Sequence, residues 1–494
     1  MKKRYRFTAL LLVLLTVMTL AVGCNDTPAD TDTEPVTTGT QAASETELSD
    51  GLPDLNYGGD EVNILNMEYI ISGPHTLNDG ENAVQAQADV VQEANYYRRR
   101  AVEERLGVTI NFIEETKFAN IPGLVRQSVN AGSNDYDMVF TVASQQVVLM
   151  QEGLYTPISD LTYVNLDNPW WNKEYIESVS VNSDNPYILF GDITFNTVQR
   201  TCAVYFNKRI LEERHGMSDD DLYQIVLDGD WTIEKMYELA STVYEDNGNS
   251  VNDAEDIHGM ISFSGETYNW MAYSAGLEFT SRDEDGYPVL NLNNERTVEL
   301  ADKLLELLTG EHVFKTSVNN DQVTHFTDGK ALFLANRLYI CDWSALREMT
   351  DDYGIIPMPK YDESIDGYHS VVESLVQWGA VPVTVADYDM ISAVAESMAY
   401  EGYMTVTPAY YETALKLKFT RGDDVDTEAA IIDLITTGAR TDFLFMNSLD
   451  GIGKIFQQIG NSGQNNFSSL YASYELAAKG KLGELIENDR DNRQ

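Results

Sequence analysis

Apolar positions in the first third of the chain switch repeatedly between a period of two and a period near 3.6. The spacing predicts a strand at 61–67, a helix at 84–106 that stops at Gly107, a strand at 108–113, a helix at 121–131 and a strand at 136–140. Because strand and helix alternate, the pattern favours an α/β fold built on a parallel sheet.

The middle of the chain is more helical. Helices are predicted after Thr232, which is a suitable N-cap, and over 294–308 and 391–403, while 326–333 leads into a strand near Leu338. The sequence shows no internal repeat.

Residues 1–54 have a composition of their own. A basic start leads into an apolar run at 7–22, which is shorter than the roughly 20 residues of a membrane span and is typical of a secretory signal. Small residues then precede Cys24, an arrangement that resembles the bacterial lipobox; a plain cleavable signal is the alternative. We therefore expect a lipoprotein signal peptide at 1–23, a lipid on Cys24 and a disordered acidic tether at 24–54, which anchors the protein at the extracytoplasmic face of the membrane.

The net charge excludes two classes of binding partner. The chain carries 33 Lys and Arg against 79 Asp and Glu, a net charge of −46. This charge opposes binding to nucleic acid, and it opposes binding to anionic lipid through a basic patch.

Cys202 and Cys341 are far apart in sequence, and we expect them to be unpaired, with a disulfide as the alternative.

Catalytic spacing is missing from the sequence. It contains no H-E-x-x-H, G-x-S-x-G or P-loop pattern, and its six His residues are scattered. Carboxylate pairs are unavoidable among 79 acids, so they carry no information about glycoside hydrolysis. We therefore predict no catalytic residues and no enzyme activity.

Seven short motifs follow one another in a recognisable order. They are Val102–Val108, Tyr136–Phe140, Gly153–Ile158, Val204–Lys208, Gly229–Thr232, Phe326–Ala331 and Ile356–Pro359. In this order and behind a lipobox, they resemble the extracellular solute-binding proteins of ABC importers, in the group that includes maltose-binding protein. The resemblance covers about residues 57–480.

The resemblance implies a two-lobed, periplasmic-binding-protein-like α/β fold with a hinge and a ligand cleft between the lobes. Lobe one is expected at 55–197 and 381–425, and lobe two at 198–380 and 426–494. The resemblance also implies a monomer that binds a carbohydrate, in particular an oligosaccharide, and delivers it to the transmembrane permease subunits. The alternatives are a receptor for a peptide or an anionic small solute, a glycan-acting enzyme and a surface adhesin.

The family fold also indicates where a ligand would bind. The hinge crossings are expected near 196–201 and near Val381. Ligands of open α/β sheets bind in the loops after strands, which points to Tyr69 after the first strand and to Ser144 and Gln145 after the third. The family carries an aromatic residue and a charged pair in this last loop, and both are missing here.

Arg200 and several aromatic residues complete the candidate site. The planar guanidinium of Arg200, at the first crossing, suits a ligand carboxylate, with an ion pair to a nearby acid as the alternative. A sugar ring stacks its C–H face on an aromatic ring. The aromatic candidates are Trp171, Trp270, Tyr339, Trp343 and Trp378, of which Trp270 and Tyr339 match positions beside the family's sugar site. A core role is the alternative for each of them, and Trp231, at a helix start, is expected to be a packing residue.

The loop 245–256 resembles an EF-hand calcium loop. Its oxygen ligands would come from Glu245, Asn247, Asn249, the carbonyl of Val251, Asp253 and Asp256. Glu at position 1, Ser at position 6 and Asp at position 12 depart from the motif, and an acidic, Asn-rich surface turn is the alternative. We expect no other cofactor.

Overall fold

A computed structural model describes residues 48–68, 90–194, 196–411 and 425–492. The chain divides into two units, 1–48 and 49–494, and the following description concerns the second. The predicted signal peptide, Cys24, Tyr69 and most of the predicted tether lie outside the described residues. Within the described ranges, no helix combines the length and the apolar character needed to cross a membrane.

The described strands and helices have the following bounds. The strands are β1 (Asp60–Met67), β2 (Val108–Glu115), β3 (Met138–Val142), β4 (Cys202–Asn207), β5 (Tyr244–Glu245), β6 (Ile257–Phe263), β7 (Thr280–Arg282), β8 (Pro288–Leu290), β9 (Val313–Thr316), β10 (Ala331–Arg337), β11 (Tyr353–Ile356), β12 (Ser370–Val371), β13 (Gln377–Ala380) and β14 (Ala439–Arg440). The α-helices are α1 (Val90–Leu106), α2 (Ile121–Ala131), α3 (Ala143–Gln151), α4 (Lys173–Val179), α5 (Asn196–Arg200), α6 (Lys208–His215), α7 (Asp219–Leu227), α8 (Ile233–Ala240), α9 (Glu266–Ser274), α10 (Glu295–Leu308), α11 (Asn319–Thr327), α12 (Ser344–Arg347), α13 (Tyr388–Glu401), α14 (Val425–Thr437), α15 (Phe443–Asn447), α16 (Ile455–Ser462) and α17 (Phe467–Asn492).

The first sheet has the strand order β13-β3-β1-β2. Strand β1 pairs in parallel with β2 and β3, as the sequence predicts, whereas β13 pairs with β3 in the antiparallel direction. Gly107 ends α1 with a φ of 63°, a backbone conformation that glycine adopts without strain, so the predicted helix stop is confirmed. The predicted start of α1 at residue 84 lies outside the described residues.

The second sheet is mixed rather than parallel. Its order is β11-β4-β10-β6-β5, with β9 paired to β6. Strands β6, β9 and β10 are parallel to one another, whereas β4 is antiparallel to β10 and β11. The sequence made no prediction of strand direction for this part of the chain, where β4 enters the sheet in the opposite direction.

Two of the chain segments that pass between the lobes are fully described. The first crossing, residues 196–201, contains α5; the second crossing, residues 372–376, leads from β12 into β13. Because β13 belongs to the first sheet, the chain returns to that sheet before Gln377, whereas the sequence placed the return near Val381. The two crossings lie side by side, since Thr201 and Val372 form an antiparallel bridge.

Several local predictions can be compared directly with the structure. The Thr232 side chain accepts from the backbone N–H of Lys235 and caps α8, and Trp231 is fully buried. Cys202 and Cys341 are both buried and form no disulfide, as predicted. Tyr339 does not lie on a strand, because β10 ends at Arg337 and the chain continues as a 3₁₀ helix, Leu338–Asp342.

The C-terminal helices pack mainly on the second sheet and its helices. Helix α14 packs on β11 and α7, and α16 packs on α9. Helix α15 is different, because it contacts α3 and α4 beside the first sheet.

Candidate ligand-binding site

The parallel strands of the first sheet end at one edge, and a cavity lies beyond it. This cavity has a volume of about 420 Å³. Its lining comes from the ends of β1 and β3, the segment after β2 and both crossings: Met67, Glu68, Thr116, Lys117, Phe118, Ala119, Asn120, Val142, Arg200 and Leu375. The carboxyl edge of an open α/β sheet is the usual place for a ligand.

The wall after β2 carries an exposed aromatic ring beside polar groups. Phe118 is 39% exposed and begins a 3₁₀ turn, Phe118–Asn120. Lys117 and Asn120 lie next to it, and Glu68 projects from the end of β1. An open apolar ring with hydrogen-bonding groups around it suits a ligand with one apolar face and several polar substituents.

Arg200 forms the floor of the cavity at the first crossing. Its Nη1 donates to Oε1 of Glu373, on the second crossing, at 2.7 Å, and Arg200 itself is 1% exposed. Its guanidinium carbon lies 4.8 Å from the centre of the Tyr339 ring. The ion pair that the sequence left as an alternative is therefore present, and the side chain also borders the cavity.

A second group of charged and aromatic side chains lies at the carboxyl end of β10. Nη2 of Arg337 donates to the Tyr339 hydroxyl at 2.6 Å and to Oδ1 of Asn319 at 3.1 Å. The guanidinium carbon of Arg337 lies 4.8 Å from the Trp270 ring and 4.9 Å from the Tyr339 ring. Burial lowers the pKa of Arg337, but the carboxylate of Glu373 and the contact with Tyr339 offset this, so the pKa lies above its ordinary value.

Glu266 begins α9 and lies near this second group. Burial and the nearby carboxylate of Glu373 raise the pKa of Glu266, while Arg337 and Lys454 oppose the rise. The second group thus combines aromatic rings with charges of both signs.

Four of the predicted residues come together here. Arg200, Trp270 and Tyr339 are linked by the stacking contacts described above, and Trp343 meets the Tyr339 ring edge-on, with 5.8 Å between ring centres. Trp343 is half-buried, whereas Trp270 and Tyr339 are 3% and 1% exposed. Trp343 is therefore the most accessible of these aromatic rings.

Trp171 and Trp378 have partners in the protein interior. Nε1 of Trp171 donates to Oε2 of Glu396 at 2.7 Å, and Nε1 of Trp170 donates to Oε1 of the same carboxylate at 3.0 Å. Trp378 is fully buried in β13, where its Nε1 donates to the hydroxyl of Tyr175 at 3.3 Å. These contacts agree with the core role that was the alternative for both.

Ser144 and Gln145 lie in a helix rather than in a loop. Strand β3 runs directly into α3, so both residues belong to its first turn. Ser144 is exposed, and the backbone N–H of Ser144 donates to the carbonyl of Ser374 on the second crossing at 3.4 Å. Oε1 of Gln145 accepts from the Thr141 hydroxyl at 2.8 Å.

Phe118, Lys117, Glu373 and Arg337 were missed by the sequence reasoning. A signal existed for the first two, because they directly follow β2, and the rule that ligands bind after strands was applied only to β1 and β3. Arg337 stands two residues before the chosen Tyr339, at the last position of a strand. Glu373 carried no local signal.

The loop 245–256 is an acidic turn whose oxygens largely accept bonds from the loop itself. Oδ1 of Asp256 accepts from the N–H of Asn247 at 2.9 Å, and Oδ2 accepts from the N–H of Asp253 and the hydroxyl of Tyr244, each at 3.1 Å. Glu245 pairs with Arg214. In the described part of the chain, no three His, Cys, Asp or Glu side chains are grouped to hold a metal ion. These contacts favour the alternative, an acidic surface turn, and calcium binding itself is left to experiment.

Comparison with solved structures identifies the fold. An ABC substrate-binding protein of Listeria monocytogenes, in complex with cycloalternan, is 11% identical, with a TM-score of 0.51 over 87% of this chain and 98% of that one. An ABC transporter solute-binding protein of Thermotoga lettingae, bound to α-D-tagatose, is 14% identical, with a TM-score of 0.52 over 86% and 100%. A cyclo/maltodextrin-binding protein complexed with maltotetraose is 11% identical, with a TM-score of 0.51 over 88% and 98%.

Sequence comparison adds nothing to this likeness. No protein-family model matches the chain, and no curated protein matches it. The structural likeness shows that the chain has the two-lobed fold of solute-binding proteins, as the sequence predicts.

Proposed function

We propose that the protein is a substrate-binding lipoprotein of an ABC importer, which binds a carbohydrate between its two lobes and delivers it to a permease. The observation that carries the proposal is the cavity of about 420 Å³, with the exposed ring of Phe118 on one side and Arg200 stacked on Tyr339 on the other. Aromatic rings beside a few fixed polar groups are the usual recognition elements for a sugar. The space suits a sugar bound as part of an oligosaccharide.

The two adjacent crossings support a hinged mechanism. A ligand that contacts both lobes favours the closed arrangement, because only that arrangement makes all of its contacts. A permease can then distinguish the loaded receptor from the empty one. In this mechanism the protein binds and releases its ligand without chemical change.

The sugar-binding proteins with this fold support the choice of ligand. The Listeria protein and the cyclo/maltodextrin-binding protein were solved with oligosaccharides, and the Thermotoga protein with a monosaccharide. We further propose that a lipid on Cys24 anchors a monomer to the extracytoplasmic face of the membrane. Mass spectrometry of the membrane fraction tests the anchor, and a chain that retains residues 1–23 would contradict it.

A thermal-shift screen of sugars, peptides and organic anions tests the function. A ligand that binds only the folded state raises the unfolding midpoint, and the rise grows with the logarithm of its concentration above Kd. We expect oligosaccharides to raise the midpoint and Phe118→Ala to weaken that response. A response confined to peptides would contradict carbohydrate binding.

An anionic small solute is the second candidate, and the two guanidinium groups favour it. Arg200 and Arg337 both stack on the Tyr339 ring, so a carboxylate could be received between the lobes without a sugar ring. Organic anions that shift the midpoint while all sugars fail would support this candidate.

A further inference from the structure

Arg337 is a buried cation whose hydrogen-bond partners are neutral. It is 6% exposed. Its Nη2 bonds to Tyr339 and Asn319, its buried Nε has no hydrogen-bond partner, and no described carboxylate forms an ion pair with it. A buried guanidinium in this state is costly, because its lost hydration is only partly replaced.

Arg200, which is also buried, and Arg282, which is half-buried, have stronger acceptors than Arg337. Arg200 has the carboxylate of Glu373 at 2.7 Å. Arg282 donates to the carbonyls of Glu177 and Ser178 at 2.6 and 2.7 Å, and also to those of Val181 and Gly286. The Nε of Arg200 is likewise buried without a hydrogen-bond partner. Arg337 differs from both because, among the described residues, its side chain has neither a carboxylate nor a backbone carbonyl as acceptor.

Glu373 does not form an ion pair with Arg337. Its Oε1 is engaged by Arg200, and its Oε2 accepts from the backbone N–H of Leu375 at 3.3 Å. Its charge acts on Arg337 through space. With Glu266, the second nearby carboxylate, it faces Arg200, Arg337 and the more exposed Lys454, so the positive charges outnumber the negative ones. That balance is unusual in a chain with a net charge of −46.

Arg337 lies close to Arg200, at the cavity floor, because both contact the Tyr339 ring. Arg337 is paired in register with Cys202, two residues after Arg200, and both guanidinium carbons lie within 5 Å of the Tyr339 ring, at 4.8 and 4.9 Å. Arg200 itself lines the cavity. An anionic group that enters along this floor therefore approaches both cations.

From this arrangement we infer that the carbohydrate carries a carboxylate, as a uronic acid does, and that Arg337 recognises it. The inference rests on the proposed function and specifies its ligand. The aromatic rings of Trp343 and Phe118 receive the apolar faces of the sugar, and the guanidinium receives its charged edge through a charge-assisted hydrogen bond. Arg337 is then the residue that selects acidic over neutral sugars.

The test compares each acidic oligosaccharide with its own neutral counterpart. Full-length protein is titrated calorimetrically with glucuronate, galacturonate and mannuronate oligosaccharides and with the same molecules after their carboxyl groups are reduced to alcohols. We expect at least one acidic form to bind about 10-fold or more tighter than its reduced form, because a hydrogen bond to a charged group contributes that much. This comparison needs no variant.

Substitutions of Arg337 then test whether this residue causes the preference for the acidic form. Arg337→Gln should abolish the preference for the acidic form, and Arg337→Lys should keep only part of it, because it retains the charge without the planar fork. Arg100→Gln, which changes an exposed arginine on α1, is the matched control and should leave the preference unchanged. Unfolding midpoints without ligand show whether each variant is folded.

Each failure has a distinct meaning. Equal binding of acidic and reduced sugars by the wild type would overturn the inference and leave carbohydrate binding intact. An acid preference that survives Arg337→Gln in a folded protein would also overturn it. If neither form of any sugar binds, both the inference and the proposed function are wrong.

Discussion

Arg200 and Glu373 tie together two chain segments that connect the lobes, the crossings at 196–201 and 372–376. Nη1 of Arg200 donates to Oε1 of Glu373 at 2.7 Å, and the backbone N–H of Glu373 donates to the carbonyl of Arg200 at 3.0 Å. Both side chains are almost completely buried, at 1% and 6% exposure. The pair therefore fixes the relative position of the crossings at the point where Arg200 borders the cavity.

Removing the acid alone should destabilise the protein strongly. Glu373→Ala leaves the Arg200 guanidinium buried without its carboxylate, and we expect a loss of about 3–5 kcal/mol in the free energy of unfolding. Urea denaturation measures this loss. The double variant Arg200→Met with Glu373→Leu should recover part of it, since no charge remains buried. A single variant as stable as the wild type would show that the pair does not stabilise the crossings.

Phe118 should matter for binding and not for folding. Its ring is exposed, so Phe118→Ala should change the free energy of unfolding by no more than about 0.5 kcal/mol. Loss of a ring on which the sugar packs should weaken binding by about 10-fold, as measured by calorimetry with a sugar that the wild type binds. Tyr97→Ala removes a ring that is 56% exposed on α1 and serves as the control. Equal affinities for all three proteins would remove Phe118 from the site.

The carboxylate of Glu396 should be needed for stability. Its two oxygens accept from the indoles of Trp170 and Trp171, from the side chain of Asn168 and from the backbone N–H of Asn165. In Glu396→Gln an amide N–H₂ replaces one accepting oxygen and faces donors, so we expect a loss of roughly 1–3 kcal/mol for each donor left unsatisfied. Urea denaturation followed by Trp fluorescence gives the value. If Glu396→Gln leaves the free energy of unfolding unchanged, the donors have found other acceptors.

Asp442 should make stability depend on pH. Burial raises the pKa of Asp442 from 3.8 to about 6, although Thr280 and the N–H of Leu444 donate to it. A carboxyl group whose pKa is raised by folding contributes stability below its unfolded pKa, and that contribution is lost as the pH rises through about 6. The shift corresponds to at most roughly 3 kcal/mol.

Asp442→Asn tests this dependence, because asparagine also caps a helix but does not ionise. Relative to the wild type, the variant should gain stability between pH 4.5 and pH 7.5 in urea unfolding series. Asp184→Asn, an exposed position, is the control and should show no such gain. A difference between wild type and Asp442→Asn that does not vary with pH would contradict the raised pKa.

Calcium should give little or no heat with this chain. In the loop 245–256 the carboxylate of Asp256 already accepts three hydrogen bonds, and Glu245 pairs with Arg214. Binding would have to displace these partners before the loop could surround a cation. Calorimetry on chelator-treated protein measures the heat directly. A saturable heat that is lost in Asp256→Asn would establish the calcium site.

The order of elements could be predicted from the sequence because it depends on local periodicity. The alternation of strand and helix through β1, α1, β2, α2 and β3 is visible in the spacing of apolar residues. The stop at Gly107 and the cap at Thr232 depend on the backbone preferences of single residues. Such signals need no knowledge of distant contacts.

The roles of individual side chains could not be predicted in the same way. The sequence alone gives no reason to prefer Trp343 over Trp171 as a sugar-binding residue. They differ because Glu396, 225 residues after Trp171, accepts its indole N–H, whereas Trp343 packs on Tyr339 close by. The partner of Arg200 is likewise 173 residues away. Contacts over such separations depend on how the sheets are connected, which periodicity does not reveal.

The first sheet is completed out of order. Strands β1, β2 and β3 are synthesised early, but β13, which covers the open edge of β3, follows only after every described strand of the second sheet. A chain that ends at residue 376 therefore contains the whole second sheet while the edge of β3 lacks its partner. During synthesis, the first sheet therefore cannot be completed until the strands of the second sheet have been made. An unpaired strand edge of this kind can pair with other chains. The chain order that produces the two crossings thus also leaves an incomplete chain with an unpaired strand edge through which it can aggregate.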